Sequence, residues 1–518
     1  MNNLYSKYFL KSNIIILIII FFFSFFINYY YSSLGVFPID TFFHYDSAAR
    51  ILSGELPIKD FWIVSGFIID LIQSVFFKIF GINWQAYIFH SSISNFLISL
   101  IIYYYFQNLK ISKFSSLIFT LSFSTLAYTI SGTPFVDHHA IFFLLASTIL
   151  LIKVIDTEKN YLWFFITLLF FLSFFTKQVP AAYTMLAQGI IVFIYILFEK
   201  KFLIIKHLIL NISFIIFLFL SLLFYFNIDL TDFYIQYIDY PRSIGSTRFL
   251  NFELTLNDFF NNYKFIIIPV VLIFIFKFKK NFNSSKEEIY SFLILCCFVL
   301  SSIFHQIMTK NQIYIYFLIP ILFGVLFKEL DLTNHRFKKY FSILLLASLF
   351  FITLKYHIRY NENRKFHELE GVNFETAIPA NKINKKFYNL SWINPSHKGD
   401  PRNEITMIKK GIIYLEREKE EIMLFTHYLF LDSITKKKLN YPTRSFTIDG
   451  ASMPVEGMKY FEFYKNFLIN KIKSKKVKKV YFFKQEGISQ NTLTDYLDTA
   501  CYSKSENDIF ILFELKCN

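Results

Sequence analysis

Between Phe37 and Trp62 the chain reads FPIDTFFHYDSAARILSGELPIKDFW, with four carboxylates (Asp40, Asp46, Glu55 and Asp60) and, among them, His44 and Arg50. The stretch follows directly on a long apolar run, so its acids lie beside a bilayer. Asp40 stands two residues after Pro38, where a starting helix would turn backbone N–H groups toward a carboxylate or an anion. On a continuous helix Asp40, His44 and Arg50 share one side, because spacings of four and ten residues fall near whole turns. A carboxylate with a histidine and an arginine beside it suits a general base next to an anion site. The plainer reading is a solvated loop whose acids, Asp40 and Asp60 among them, cap helices.

Further candidates lie in later loops. GTPFVDHHA, Gly132 to Ala140, offers Asp137 and His138 as polar partners for the first loop; Asp137 as a helix N-cap is the simpler alternative. His138 and its neighbour His139 point about 100° apart on a helix and do not chelate a metal together. FTKQVP, Phe174 to Pro180, carries Lys177 and Gln178, and HQIMTKNQIYIYFLIP, His305 to Pro320, carries His305, Lys310 and Gln312. Cations at headgroup level can neutralise the phosphate of a lipid-linked substrate, or merely snorkel to the interface. Arg242 and Arg248 of YPRSIGSTRF either clamp a pyrophosphate or an acceptor, or are solvated.

The elements that must position these residues are membrane helices. The 518-residue chain is 54% hydrophobic, above the roughly 45–50% of soluble domains. Runs such as NIIILIIIFFFSFFINYYY, Asn13 to Tyr31, are long enough to cross about 30 Å of hydrocarbon. Apolar runs centre near residues 21, 96, 123, 147, 168, 189, 217, 270, 297, 320 and 348, which predicts about eleven spans. The first has no small-residue cleavage site and reads as a retained helix. The net charge of +15 does not indicate nucleic acid, because the excess Lys and Arg sit in alternate short loops, as the positive-inside rule requires. With the N-terminus in the cytoplasm, the basic loops fall inside and the candidate residues fall outside.

GFIIDLIQSVFFKIFG, Gly66 to Gly81, holds Asp70 and Lys78, each costing about 2.5–3.5 kcal/mol at a bilayer centre. It is expected to lie along the outer surface as an amphipathic helix, leaving residues 32–84 as the first external loop. The predicted architecture is thus a polytopic helical membrane domain, residues 1–356, followed by a small external α/β domain, residues 357–518. In the latter, IMLFTHYLF, KVYFFK and IFILFEL read as strands. Cys501 and Cys517 are a candidate disulfide if that domain is outside the cytoplasm.

The acid after the first helix, then SAARILSGELPIKDFW and the surface helix, resembles the first external loop of GT-C glycosyltransferases. These polytopic enzymes include protein O-mannosyltransferases and lipid A aminoarabinose transferases; the whole chain also resembles GT-C-like membrane proteins of marine bacteria. By the resemblance Asp40 takes the place of the catalytic acid, Arg50 and Gly54 match an A-R-x-L-x-x-G helix, and Asp60 and Phe61 match a following D-[FW]. Thr41 replaces a common second acid, Phe67 stands where Pro is usual, and Asp46 is a rival for the catalytic place. The resemblance implies an inverting transferase in the bacterial inner membrane. Its donor would be a polyprenyl-phosphate-linked sugar and its acceptor a periplasmic glycan, lipid or protein. It names no resident cofactor and leaves a divalent cation open. The alternatives are a flippase for a lipid-linked saccharide, which would need polar residues within its spans, and a non-catalytic assembly protein of the same shape.

Overall fold

The structure, a computed structural model, describes residues 2–250, 256–279, 285–309, 314–331 and 338–517. The first apolar run forms α1 (Asn2–Tyr31). The loop after it carries α2 (Pro38–Thr41), α3 (Phe43–Leu52) and α4 (Phe67–Phe80). Then come α5 (Trp84–Asn108), α6 (Lys113–Leu126), α7 (Val136–Thr157), α8 (Leu162–Thr176), α9 (Gln178–Phe198) and α10 (Leu203–Tyr225). A second loop holds α11 (Leu230–Phe233) and α12 (Tyr240–Leu250), before α13 (Leu256–Lys279), α14 (Lys286–Thr309), α15 (Leu318–Asp331) and α16 (Lys338–His357).

Eight of the described helices are long and apolar enough to cross a membrane, and the chain is a multi-pass membrane protein. The other three expected spans, near residues 123, 168 and 320, fall on α6, α8 and α15, which have 14, 15 and 14 residues. At about 1.5 Å per residue these reach only about 21–22 Å. Single 3₁₀ turns, Tyr128–Ile130 after α6 and Ile315–Phe317 before α15, lengthen two of them. α6 packs against α1, α5, α15 and α16, and a helix enclosed in this way need not match the lipid thickness by itself.

Side-chain amides hold the spans together. The Asn28 amide donates to Ser91 Oγ (3.1 Å), Ser92 Oγ (3.0 Å) and the Gly132 carbonyl (3.1 Å), while Asn95 donates to the carbonyls of Ser24 and Ser124. Such bonds replace the hydrophobic drive that is missing between helices in lipid.

α4 is an amphipathic helix of the expected extent, with its polar side against the protein. Asp70, Gln73 and Ser74 are buried, while Leu71, Val75 and Ile79, each one turn from the next, are exposed. A polar face directed inward needs partners, and His90 Nδ1 provides one by approaching Gln73 Oε1 at 2.9 Å. His90 Nε2 in turn lies 2.9 Å from His139 Nε2, and the Tyr128 hydroxyl bonds the other ring nitrogen of His139.

Beyond α16 the chain forms the expected α/β unit. Two short strands, β1 (Ile378–Pro379) and β2 (Ser391–Trp392), precede α17 (Arg402–Arg417), β3 (Ile422–Phe425), α18 (Leu431–Ile434), α19 (Phe461–Ser474), β4 (Lys479–Phe483), β5 (Tyr502–Glu506) and β6 (Phe510–Leu515). The main sheet runs β3-β4-β6-β5, its first pair parallel and the others antiparallel. β3, β4 and β6 lie on the three apolar runs. β5, with sequence YSKSE, has no apolar signal because it is the exposed edge. Cys501 and Cys517 are disulfide-bonded, with Cα atoms 4.8 Å apart.

This unit and the first loop share one core. The Phe42 ring stacks on Trp392 at 5.9 Å, and Trp62 packs on Tyr464 and Phe467. The Trp62 backbone N–H donates to the Pro442 carbonyl (3.0 Å), and the Gly35 N–H to that of Ser391 (3.0 Å).

Candidate functional site

Segments from distant parts of the chain meet around a cavity of about 510 Å³. Its wall includes Asp40, Asp137, Lys177, Gln178 and Arg248, together with Tyr314 and Glu368.

Asp40 sits on the one-turn helix α2, set up by Pro38 at its first position. The chain bends at Phe42 before α3 begins, so Asp40 does not share a helical side with His44 and Arg50 as expected. The residue is half-buried. Burial, reinforced by the nearby Asp137 charge and opposed by Lys177, raises its pKa to about 7.

Asp137 lies in the first turn of α7, where the helix dipole favours a negative charge. Lys177 Nζ donates to both of its oxygens, at 2.7 and 2.6 Å, and His305 Nε2 lies 2.9 Å from Oδ1. The Tyr314 hydroxyl is 3.4 Å from the same His305 nitrogen. Lys177 occupies the extended link between α8 and α9, 19% exposed. An ammonium has three N–H donors; with two directed at Asp137, one is left for a ligand. Gln178 lines the cavity but spends its amide on the carbonyls of Val64 (2.8 Å) and Tyr237 (2.5 Å), which fastens the first loop to the second. Arg248, exposed on α12, completes the basic side.

The remaining candidates lie elsewhere. His44 is fully buried, with Nδ1 donating to Asp70 Oδ1 at 2.6 Å; Arg444 of the C-terminal unit holds the other Asp70 oxygen at 2.7 Å. Burial, the largest influence, lowers the His44 pKa against the pull of Asp70, so the ring serves as a neutral donor. Gly66, at φ +85°, keeps this group compact, because a Cβ there would stand 2.8 Å from the His44 ring.

Asp46 and Arg50 are buried on α3, 3.6 Å apart, and Arg50 Nε bonds Glu55 at 2.6 Å. They belong to the contact with the C-terminal unit and do not line the cavity. Asp60 closes its own turn by accepting from the Leu56 N–H (2.7 Å). His138 is turned into the bundle, against Ser131 Oγ at 2.8 Å. Arg242 is exposed and lines no part of the cavity, and Lys310 and Gln312 lie outside the described residues. Among the described residues no three His, Cys, Asp or Glu side chains converge as a metal site.

Sequence reasoning did not find Tyr314, Glu368 or Arg444. Glu368 carries no motif. For Arg444 the only signal is a loop-rich stretch, TRSFTIDGAS, in a domain otherwise built of regular elements.

No protein-family model and no curated protein matches this chain. Among solved structures it is similar to ArnT from Cupriavidus metallidurans bound to undecaprenyl phosphate. The likeness has 10% sequence identity and a TM-score of 0.47, over 97% of this chain and 98% of that one. At that level the functional reading has to stand on the site's own chemistry.

Proposed function

We propose that the protein is a membrane glycosyltransferase that moves a sugar from a polyprenyl-phosphate donor to a hydroxyl acceptor at the outer face of the bacterial inner membrane. The observation that carries this reading is Asp40. It is a half-buried acidic residue without a salt-bridge partner among the described residues, in the wall of the same cavity as Lys177 and Arg248. The resemblance of the first loop to GT-C enzymes and the Cys501–Cys517 disulfide, suited to an oxidising compartment, support it further.

In the proposed reaction Lys177 and Arg248 neutralise the donor phosphate. Asp40 accepts the proton of the acceptor hydroxyl, whose oxygen bonds the anomeric carbon from the face opposite the phosphate. The bond between that carbon and the phosphate oxygen breaks, and polyprenyl phosphate leaves with the electron pair. A pKa near 7 suits a general base at neutral pH. Charge neutralisation at the leaving phosphate is the larger contribution expected in such a site.

The test is mass spectrometry of glycolipids and envelope glycans from cells carrying wild type, a deletion, or Asp40→Asn. Deletion and Asp40→Asn should remove the same sugar while the variant protein stays at its normal level in the membrane. A deletion that accumulates a complete lipid-linked saccharide, with Asp40→Asn behaving as wild type, would establish a transporter instead.

A further inference from the structure

Asp40 borders a second cavity, of about 220 Å³, whose lining contains neither Asp137 nor Lys177. Its far wall is residues 443–452 of the C-terminal unit, which present Ser445, Thr447, Asp449 and Ser452. From the geometry we propose that this second cavity is the acceptor subsite and that its occupant is a single sugar ring of a glycan or glycolipid. The inference rests on the transferase reading above and gives that reading its acceptor class.

The chemistry of the wall separates the two cavities. Arg444, the cation in the second lining, donates from Nη1 to Asp70 Oδ2 at 2.7 Å and from Nη2 to the Ser65 carbonyl. Arg444 is thus paired and only 6% exposed, whereas the first cavity has Lys177, 19% exposed, and the exposed Arg248. What the second cavity offers is hydroxyls, which donate and accept, and a carboxylate, which accepts. Those are the complements of ring hydroxyls.

Size and rigidity agree with a small polar ring. The volume is below the roughly 300–1,000 Å³ of clefts for larger ligands. The loop is held in shape by bonds from Ser452 Oγ to Ser445 Oγ (2.5 Å) and Thr447 Oγ1 (2.8 Å), and by the Tyr240 hydroxyl on the Gly450 carbonyl. A hydroxyl of the occupant sits beside the carboxylate that takes its proton, and the donor's phosphate sits across Asp40. In this arrangement the C-terminal unit selects the acceptor and the membrane helices hold the donor.

The experiment uses the full chain in lipid nanodiscs, with empty discs as control. Saturation-transfer NMR is recorded with methyl glucoside, galactoside and mannoside, and with a Ser/Thr-containing peptide as counter-probe. The same samples are titrated with undecaprenyl monophosphate. At least one hexoside should receive saturation from wild type. Thr447→Val, Asp449→Asn and the volume-sparing Ser445→Ala should each weaken its binding about fivefold, the usual worth of one hydrogen bond. Undecaprenyl phosphate binding should be unchanged in those three and weakened in Lys177→Gln.

Hexoside signals that are absent, or equal in wild type and all three variants, overturn the acceptor subsite, as does saturation of the peptide alone. The donor reading survives those results. Undecaprenyl phosphate binding that ignores Lys177→Gln overturns the donor reading, whatever the hexosides do.

Discussion

Asp40 and Asp46 are six residues apart in one loop, and burial raises both, to about 7 and about 8. Their surroundings differ. Asp46 is 1% exposed and faces Arg50, whose guanidinium bonds Glu55 and lies 4.0 Å over the Phe61 ring. Lys438 of the C-terminal unit reaches Glu55 at 3.5 Å, so these charges join loop to domain. Asp40 has no such partner among the described residues and borders two cavities. Desolvation alone therefore does not mark a general base. The useful carboxylate is the one whose desolvation comes with space for a substrate and a cation across that space.

The largest effect expected from this contrast is on chemistry. Asp40→Asn should lower transfer by roughly 100- to 10,000-fold, the range for losing a general base, with normal protein in the membrane. Asp46→Asn should change the amount of folded protein and leave the turnover of what remains. Equal losses of turnover, by in vitro transfer assay, would erase the distinction.

Next is stability. Arg50→Ala removes the cation beside buried Asp46 and leaves Glu55 to Lys438, which should cost about 3–5 kcal/mol, read as a large fall in thermal midpoint. Asp40→Asn should not lower the midpoint. Lys177→Gln should reduce transfer roughly 100- to 1,000-fold, as loss of a charge-stabilising donor does.

The smallest effect is a shift in pH profile. Asp40 must be ionised to accept a proton, so transfer should fall as pH drops through about 7. Asp137 pushes that pKa up and Lys177 pulls it down. Asp137→Asn should therefore move the acid limb to lower pH, and Lys177→Gln to higher pH. Shifts in the opposite senses would identify a different base.

Much of this arrangement is legible in the linear chain. Apolar runs mark the helices, because a bilayer sets their length and composition. Alternating basic loops put Asp40, Asp137, Lys177, Arg248 and His305 at helix ends of one face, and those five meet at or beside one cavity. The side that α4 turns to the protein is not legible. Its period of 3.6 separates a polar from an apolar side, but which side faces the protein depends on partners such as His44 and Arg444. The bend at Phe42 was hidden too, since FPIDTFFHYD contains no Gly and no Pro after Pro38.

The sequence by itself determined the class of protein, the helix positions, the strands of the outer unit and the face on which the polar residues gather. These follow from local composition and periodicity, which act over one turn or one span. Tertiary structure alone decided which acid meets a cavity and which is buried in ion pairs. It also brought residues 443–452 beside Asp40, about four hundred positions away along the chain. The physical reason is that a pKa, a cavity or a buried ion pair is set by groups that touch in space, and no spacing along the chain encodes which distant groups will touch.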